Sequence, residues 1–148
     1  MSGDGYRDAV TAGRPLHLRA HSIGLVFAGG ALGTGGRYAI STAVPDLNGL
    51  PVAVLGINVA GAFLLGLLLE RLLHTGPDDG PRRDLRLLAG TGVLGGFTTY
   101  SALAADTATL LADGHLGRAA IYALGTLVLG LAAAGAGLRC GGLGAGRS

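Results

Sequence analysis

The chain has 148 residues, 49% hydrophobic and only 14% charged, a balance that excludes an ordinary soluble domain of this size and makes a bilayer the expected solvent. Every positive charge behind the net +2 is an arginine, and no basic cluster interleaved with aromatics is present, so nucleic acid is excluded as a partner. The single cysteine, Cys140, rules out an intrachain disulfide, and the residues around it lack zinc-ligand spacing.

In chain order, residues 1–21 carry Asp4, Arg7, Asp8, Arg14 and Arg19 without a sustained apolar core. They are neither a secretory signal nor a span, and are expected to form a mobile cytoplasmic tail. Four apolar stretches follow, 22–45, 47–69, 87–105 and 119–138, free of Asp, Glu and Arg except for Arg37. Each is near the roughly 20 residues needed to cross the hydrocarbon core. The 29 glycines fall largely inside these runs, where small residues let transmembrane helices approach closely. None of the stretches alternates with period 2, which argues against a β-barrel. The expected fold is an all-α membrane protein with four transmembrane helices over residues 22–139 and a short cytoplasmic tail at 140–148.

The connections carry turn chemistry: Pro45-Asp46-Leu47-Asn48-Gly49, then Gly76-Pro77-Asp78-Asp79-Gly80-Pro81, then Asp113-Gly114-His115. With four spans both termini and the second loop share one side. That side holds nine arginines (7, 14, 19, 71, 82, 83, 86, 139 and 147) and the other only Arg37 and Arg118. The positive-inside rule then predicts cytoplasmic termini in the cell membrane.

The run Gly90-Thr91-Gly92-Val93-Leu94-Gly95-Gly96-Phe97-Thr98-Thr99-Tyr100-Ser101 combines glycine pairs with hydroxyls near mid-span. A break in the third helix is one explanation, because non-helical backbone at membrane depth survives where it is buried or lines a wet cavity, and its freed carbonyls can ligate a cation. The plainer alternative is a continuous helix whose glycines pack and whose hydroxyls bond back to their own carbonyls. Asn58, mid-span in the second helix, is either interhelical glue or a ligand. Tyr122, Thr126 and Gly130 share one stripe of the fourth span, which is a hydroxyl track or ordinary packing. Arg37 and Asp106, near the non-cytoplasmic ends of the first and third spans, are vestibule charges, snorkelling side chains or a mutual ion pair.

These residues together resemble the Fluc (CrcB) family of small fluoride channels, over essentially all of residues 22–138. The most specific parts are Gly29-Gly30-Ala31-Leu32-Gly33 with Arg37-Tyr38, Ile57-Asn58 with Gly61, Phe63 and Gly66, and the glycine- and hydroxyl-rich run through Ser101. The resemblance implies an antiparallel dimer of dual-topology type with two narrow anion pathways. It also implies one structural, non-transported sodium ion at the dimer centre, held by backbone carbonyls that fall here on Gly95 and Thr98. The pathway residues it implies are Asn58, Tyr100, Ser101, Leu103, Tyr122 and Thr126, with the last helical position of the track at Gly130. Fluoride is the implied partner ion, alongside membrane lipid and a second subunit.

Such a set suits fluoride, whose tightly held water must be replaced by compact amide and hydroxyl donors and by the positive edges of aromatic rings. A fixed sodium ion adds positive charge without obstructing the path. Against the family pattern, Tyr100 and Leu103 stand where phenylalanines are usual, Ala102 replaces a hydroxyl residue and Gly130 removes one. The strong arginine bias favours a subunit of fixed orientation paired with a reversed homologue over one paired with itself. Two alternatives are a pore-depleted partner subunit and a small proton-coupled exporter. The exporter requires a carboxylate in its first span, and 22–45 has none. No nucleophile, base and orienting group converge, so the chain is not expected to be an enzyme, and the histidines at 17, 21, 74 and 115 are read as solvated loop residues.

Overall fold

A computed structural model of the chain describes residues 19–74 and 76–143. Most of the predicted tail 1–21, with Arg7, Arg14 and His17, lies outside the described residues, as does Arg147. The described residues are helical, without a strand: α1 (Ala20–Ala43), α2 (Val52–His74), α3 (Gly80–Leu85), a π-helical segment π1 (Arg86–Leu94), α4 (Gly95–Phe97), α5 (Tyr100–Ala112) and α6 (Leu116–Leu143). Three helical stretches, Val52–His74, Gly80–Ala112 and Leu116–Leu143, are long and apolar enough to cross a membrane. α1 has 24 residues, long enough at about 1.5 Å per residue, but His21, Arg37 and its many glycines and hydroxyls dilute its hydropathy.

Local chemistry sets the element ends. Pro45 stops α1, and the turn after it is closed by paired backbone bonds between Leu47 and Leu50, 3.0 Å each. Asn48 and Gly49 take φ of 53° and 76° there, the left-handed pair that such a two-residue turn demands. Pro81 begins the third helical stretch, where a missing N–H costs nothing. That stretch therefore starts at Gly80 and takes Arg82, Arg83, Asp84 and Arg86 into its first turns, earlier than the apolar run from Leu87 predicts. The last helix likewise continues through Leu143, so residues 140–143, expected in the tail, are helical. Gly141 there lies close against Glu70 of α2, where a Cβ would crowd the Glu70 Cβ at 2.7 Å.

The helices pack in two main pairs, α2 with α6 and α1 with π1 and α4, while α5 leans on α6. Both seams depend on missing side chains. A Cβ at Gly137 would run into the Phe63 carbonyl, and one at Gly66 into that of Ala134. A Cβ at Gly29 or Gly33 would strike the carbonyls of Leu88 or Val93. Close backbone approach replaces hydrophobic burial as the source of contact, as expected where the solvent itself is apolar. The buried cluster is small: Leu103, Leu110, Ala119 and Tyr122, with Leu50 and Leu55 against it. Large side chains such as Phe27, Ile121 and Leu131 point outward.

Two expectations change here. His21 and His74 are exposed, as expected, but they stand on helices and not in loops, and each faces a carboxylate, His21 Nε2 at 3.0 Å from Asp84 and His74 Nε2 at 2.8 Å from Glu70. Nor do Arg37 and Asp106 pair with each other: the Arg37 Nε donates to the Gly96 carbonyl at 3.3 Å, and Asp106 accepts from Tyr122.

Candidate functional site

The third helical stretch is where the backbone departs most from an α-helix. π1 already carries the wider π winding over nine residues, a form that concentrates at functional sites. After the single turn of α4, Thr98 and Thr99 are extended, with φ/ψ of −77°/153° and −150°/119°. Thr98 still bonds back to the Leu94 carbonyl through both its N–H, at 3.0 Å, and its hydroxyl, at 2.9 Å. Thr99 turns away from the helix and caps α5, its Oγ1 accepting from the Ala102 N–H at 3.2 Å.

Asn58 meets this interruption from α2. Its amide nitrogen donates to the Thr99 carbonyl at 3.0 Å, and its amide oxygen accepts from the Thr99 N–H at 2.8 Å. One side chain thus satisfies both backbone groups of the half-buried Thr99, which have no helical partner there. Gly61, one turn further along α2, makes room: a Cβ there would collide with the Thr98 Cγ2 methyl.

The consequence for the carbonyls follows from helix geometry. In an α-helix the Gly95 carbonyl would accept from the Thr99 N–H and the Thr98 carbonyl from the Ala102 N–H. Both N–H groups are taken by side chains instead, by Asn58 and by the Thr99 hydroxyl. The Gly96 carbonyl receives the Arg37 Nε and, at 3.4 Å, the Thr34 hydroxyl. Gly95 itself is exposed, with open space where a side chain would stand.

Beneath the interruption a cleft of about 420 Å³ opens between α2, α5 and α6. It brings together Asn58, Thr98, Thr99, Tyr100, Leu103, Thr126 and Gly130, with Leu65, Leu127 and Leu131 along its apolar side. Tyr100 is 79% exposed and projects outward, whereas Leu103 is 7% exposed and belongs to the core cluster. Thr126 is buried, and its hydroxyl donates to the Tyr122 carbonyl of its own helix at 2.7 Å. Ser101 does not line the cleft; its hydroxyl meets that of Thr99 at 3.1 Å.

Tyr122 also stands apart from this cleft. It is 2% exposed, and its hydroxyl donates to Asp106 Oδ2 at 3.0 Å, tying α6 to α5. Asp106 faces a second, more polar cavity of about 490 Å³ with Asp46, Asp113, His115 and Arg118 on its walls. Arg37 lines neither cavity. Thr99 is the residue that reading the sequence did not single out, although a threonine before an apolar helical run is an N-cap signal. Its pairing with Asn58 spans 41 positions and has no local signature.

The family model described as "CrcB-like protein, Camphor Resistance (CrcB)" matches residues 24–138. Among curated relatives, the "Fluoride-specific ion channel FluC 2" of Leifsonia xyli subsp. xyli is 53% identical over 127 residues, covering 86% of this chain and 88% of that protein. The "Fluoride-specific ion channel FluC" of Thermus thermophilus is 45% identical over 80% of this chain and 93% of its own length. The protein of that name from Paracoccus denitrificans is 43% identical over 82% of this chain and 94% of its own.

Proposed function

This chain belongs to the CrcB-like family, and on that premise we propose that it is a subunit of a fluoride-specific channel through which fluoride leaves the cytoplasm. The family consists of channels and not enzymes, and the chain is a multi-pass membrane protein. The observation that carries the proposal is the 53% identity to a relative named as a fluoride-specific channel, over nearly nine-tenths of each chain. The cleft under the interruption supports it chemically.

Fluoride entering that cleft must exchange water for donors. Asn58 has two amide hydrogens and gives one to Thr99, so one is left for an anion. Tyr100 offers a ring edge and a hydroxyl at the exposed start of α5. Ser101, expected on the pathway, acts from outside the cleft through its hydroxyl contact with Thr99, and Leu103 walls the path with apolar surface. Thr126 contributes by turning its hydroxyl hydrogen from the Tyr122 carbonyl toward the passing ion, whereas Tyr122, expected on the pathway, is buried against Asp106 away from this cleft and acts by tying α6 to α5. Arg37 and Asp106 set the charge at the vestibules. None of the donors in the cleft carries a full positive charge, so no single site traps the anion.

The donor set at the interruption fits a structural sodium ion, a hard cation that takes uncharged oxygen ligands. The carbonyls of Gly95 and Thr98 would hold it, because the N–H groups that helix geometry assigns to them are engaged elsewhere. When bound, such an ion supplies fixed positive charge near the pathway and joins two interrupted helices. With the exposed Gly95 facing a second subunit, the assembly is an antiparallel dimer, α1 completes four spans, and the termini are cytoplasmic.

A second reading, a pore-depleted subunit that conducts only beside a reversed homologue, draws on Leu103, which is packed into the subunit's own core instead of presenting an aromatic edge. The test of both is fluoride efflux from liposomes carrying the purified protein alone, followed with a fluoride-selective electrode. Efflux that Asn58→Asp abolishes supports a self-sufficient channel. Silence alone with efflux after co-reconstitution of a reversed homologue supports the second reading, and silence in both overturns the channel assignment.

A further inference from the structure

We infer that Asn58 is a positioning residue for the cation site: by holding both backbone groups of Thr99 it keeps the third helix interrupted and the Gly95 carbonyl free to bind sodium. This rests on the channel reading above, but it assigns Asn58 a task separate from touching the anion.

The argument is one of competition for a single N–H. The Thr99 N–H has two possible acceptors, the Gly95 carbonyl one helical turn back or the Asn58 amide oxygen across the seam. It takes the second, at 2.8 Å, and Thr99 adopts an extended φ/ψ in which the first is out of reach. The reciprocal bond from the Asn58 amide nitrogen to the Thr99 carbonyl, at 3.0 Å, fixes the peptide on both sides. An amide offers a donor and an acceptor side by side at this spacing without having to bind a proton. A carboxylate loses the donor, and an isosteric apolar chain loses both.

Gly61 works from the same face of α2. By admitting the Thr98 methyl it lets residues 98 and 99 sit against α2 at all. Asn58 and Gly61 together form a socket for the interruption, three positions apart and so on one face of the helix. Without the socket, Thr99 can return its N–H to Gly95, and a sodium ligand becomes an ordinary helical acceptor.

The test measures sodium binding directly, as the rise in thermal unfolding temperature of the purified, detergent-solubilised protein on titration with NaCl against an N-methylglucamine chloride background. The same variants are followed for fluoride efflux in liposomes. In Asn58→Leu and Gly61→Ala the sodium concentration giving half the stabilisation should rise by about tenfold, the effect of losing one or two part-buried hydrogen bonds. Trimming the methyl that Gly61 accommodates, in Gly61→Ala/Thr98→Ser, should restore the wild-type midpoint. An Asn58→Leu protein that aggregates leaves the decision to the Gly61→Ala pair with its rescue. Unchanged sodium midpoints in folded variants, whatever their efflux, overturn the inference and return Asn58 to the anion path alone. A wild-type protein with neither sodium stabilisation nor efflux counts against the channel reading instead, so the two failures are distinguishable.

Discussion

The third helical stretch and α6 both place threonines at membrane depth beside glycines, yet the two backbones respond in opposite ways. At Thr98 and Thr99 the helix gives way. At Thr126, between Gly125 and Gly130, it continues unbroken, with the hydroxyl bonded to the carbonyl four residues back. Thr98 bonds back in the same manner, so local hydroxyl chemistry does not separate the two regions. What separates them is a partner on another element: Asn58 reaches the Thr99 backbone from α2, whereas Thr126 bonds within its own helix. A helix in an apolar solvent is interrupted only where another element can satisfy the groups it releases.

No larger effect is expected than on removing that partner. Asn58→Leu removes both side-chain bonds to the Thr99 backbone, a loss that re-pairing of the Thr99 N–H with Gly95 offsets only in part, and should lower stability in detergent by about 2 kcal/mol, read from denaturation midpoints. A loss below about 1 kcal/mol would mean the interruption is intrinsic to the glycine-rich run and the comparison with α6 is mistaken.

Next comes the seam that presses α1 on π1. Gly33→Ala puts a methyl into the Val93 carbonyl and should cost about 2 kcal/mol by overpacking. The same exchange at Gly130, where nothing lies within 4 Å, should not destabilise, and thermal unfolding of the two variants side by side checks the contrast.

Tyr122→Phe removes the hydroxyl that joins α6 to Asp106 and should cost about 1 kcal/mol, because the carboxylate left behind faces a polar cavity that water can enter. Thr126→Val removes only a bond within one helix and should stay within about 0.5 kcal/mol. If Thr126→Val proved the costlier of the two, the cross-helix bond would not be what α6 depends on.

The smallest change is predicted outside the spans. Three contacts of 2.7 to 3.1 Å from Arg86 hold the Asp78 carboxyl below its ordinary pKa, the hydrogen bond being the main cause. A depressed carboxylate contributes stability above its unfolded pKa and loses it as pH falls through the lower folded value. Asp78→Asn should therefore be slightly less stable than wild type at neutral pH, and the gap should close as pH falls below about 4, in a pH series of unfolding curves. A gap that persists unchanged into acid would mean the Arg86 contact does not act through the carboxylate's charge.

Local composition makes a bilayer the expected solvent and marks the stretches that fold into helices, three of them long and apolar enough to cross it. Spans are legible because insertion depends on the local density of apolar residues, and turns because Asn48, Gly49, Pro77 and Pro81 constrain their own dihedrals. Residues 90–101 also stand out on reading, since glycine pairs beside hydroxyls are a local anomaly. Which atoms meet is a matter of packing. That Asn58 holds Thr99, that Tyr122 turns to Asp106 while Arg37 turns to Gly96, and that residues 86–94 wind as a π-helix all depend on how close two seams can come. Glycines set that distance by what they lack, and a missing side chain carries no record in the sequence of the backbone it will admit.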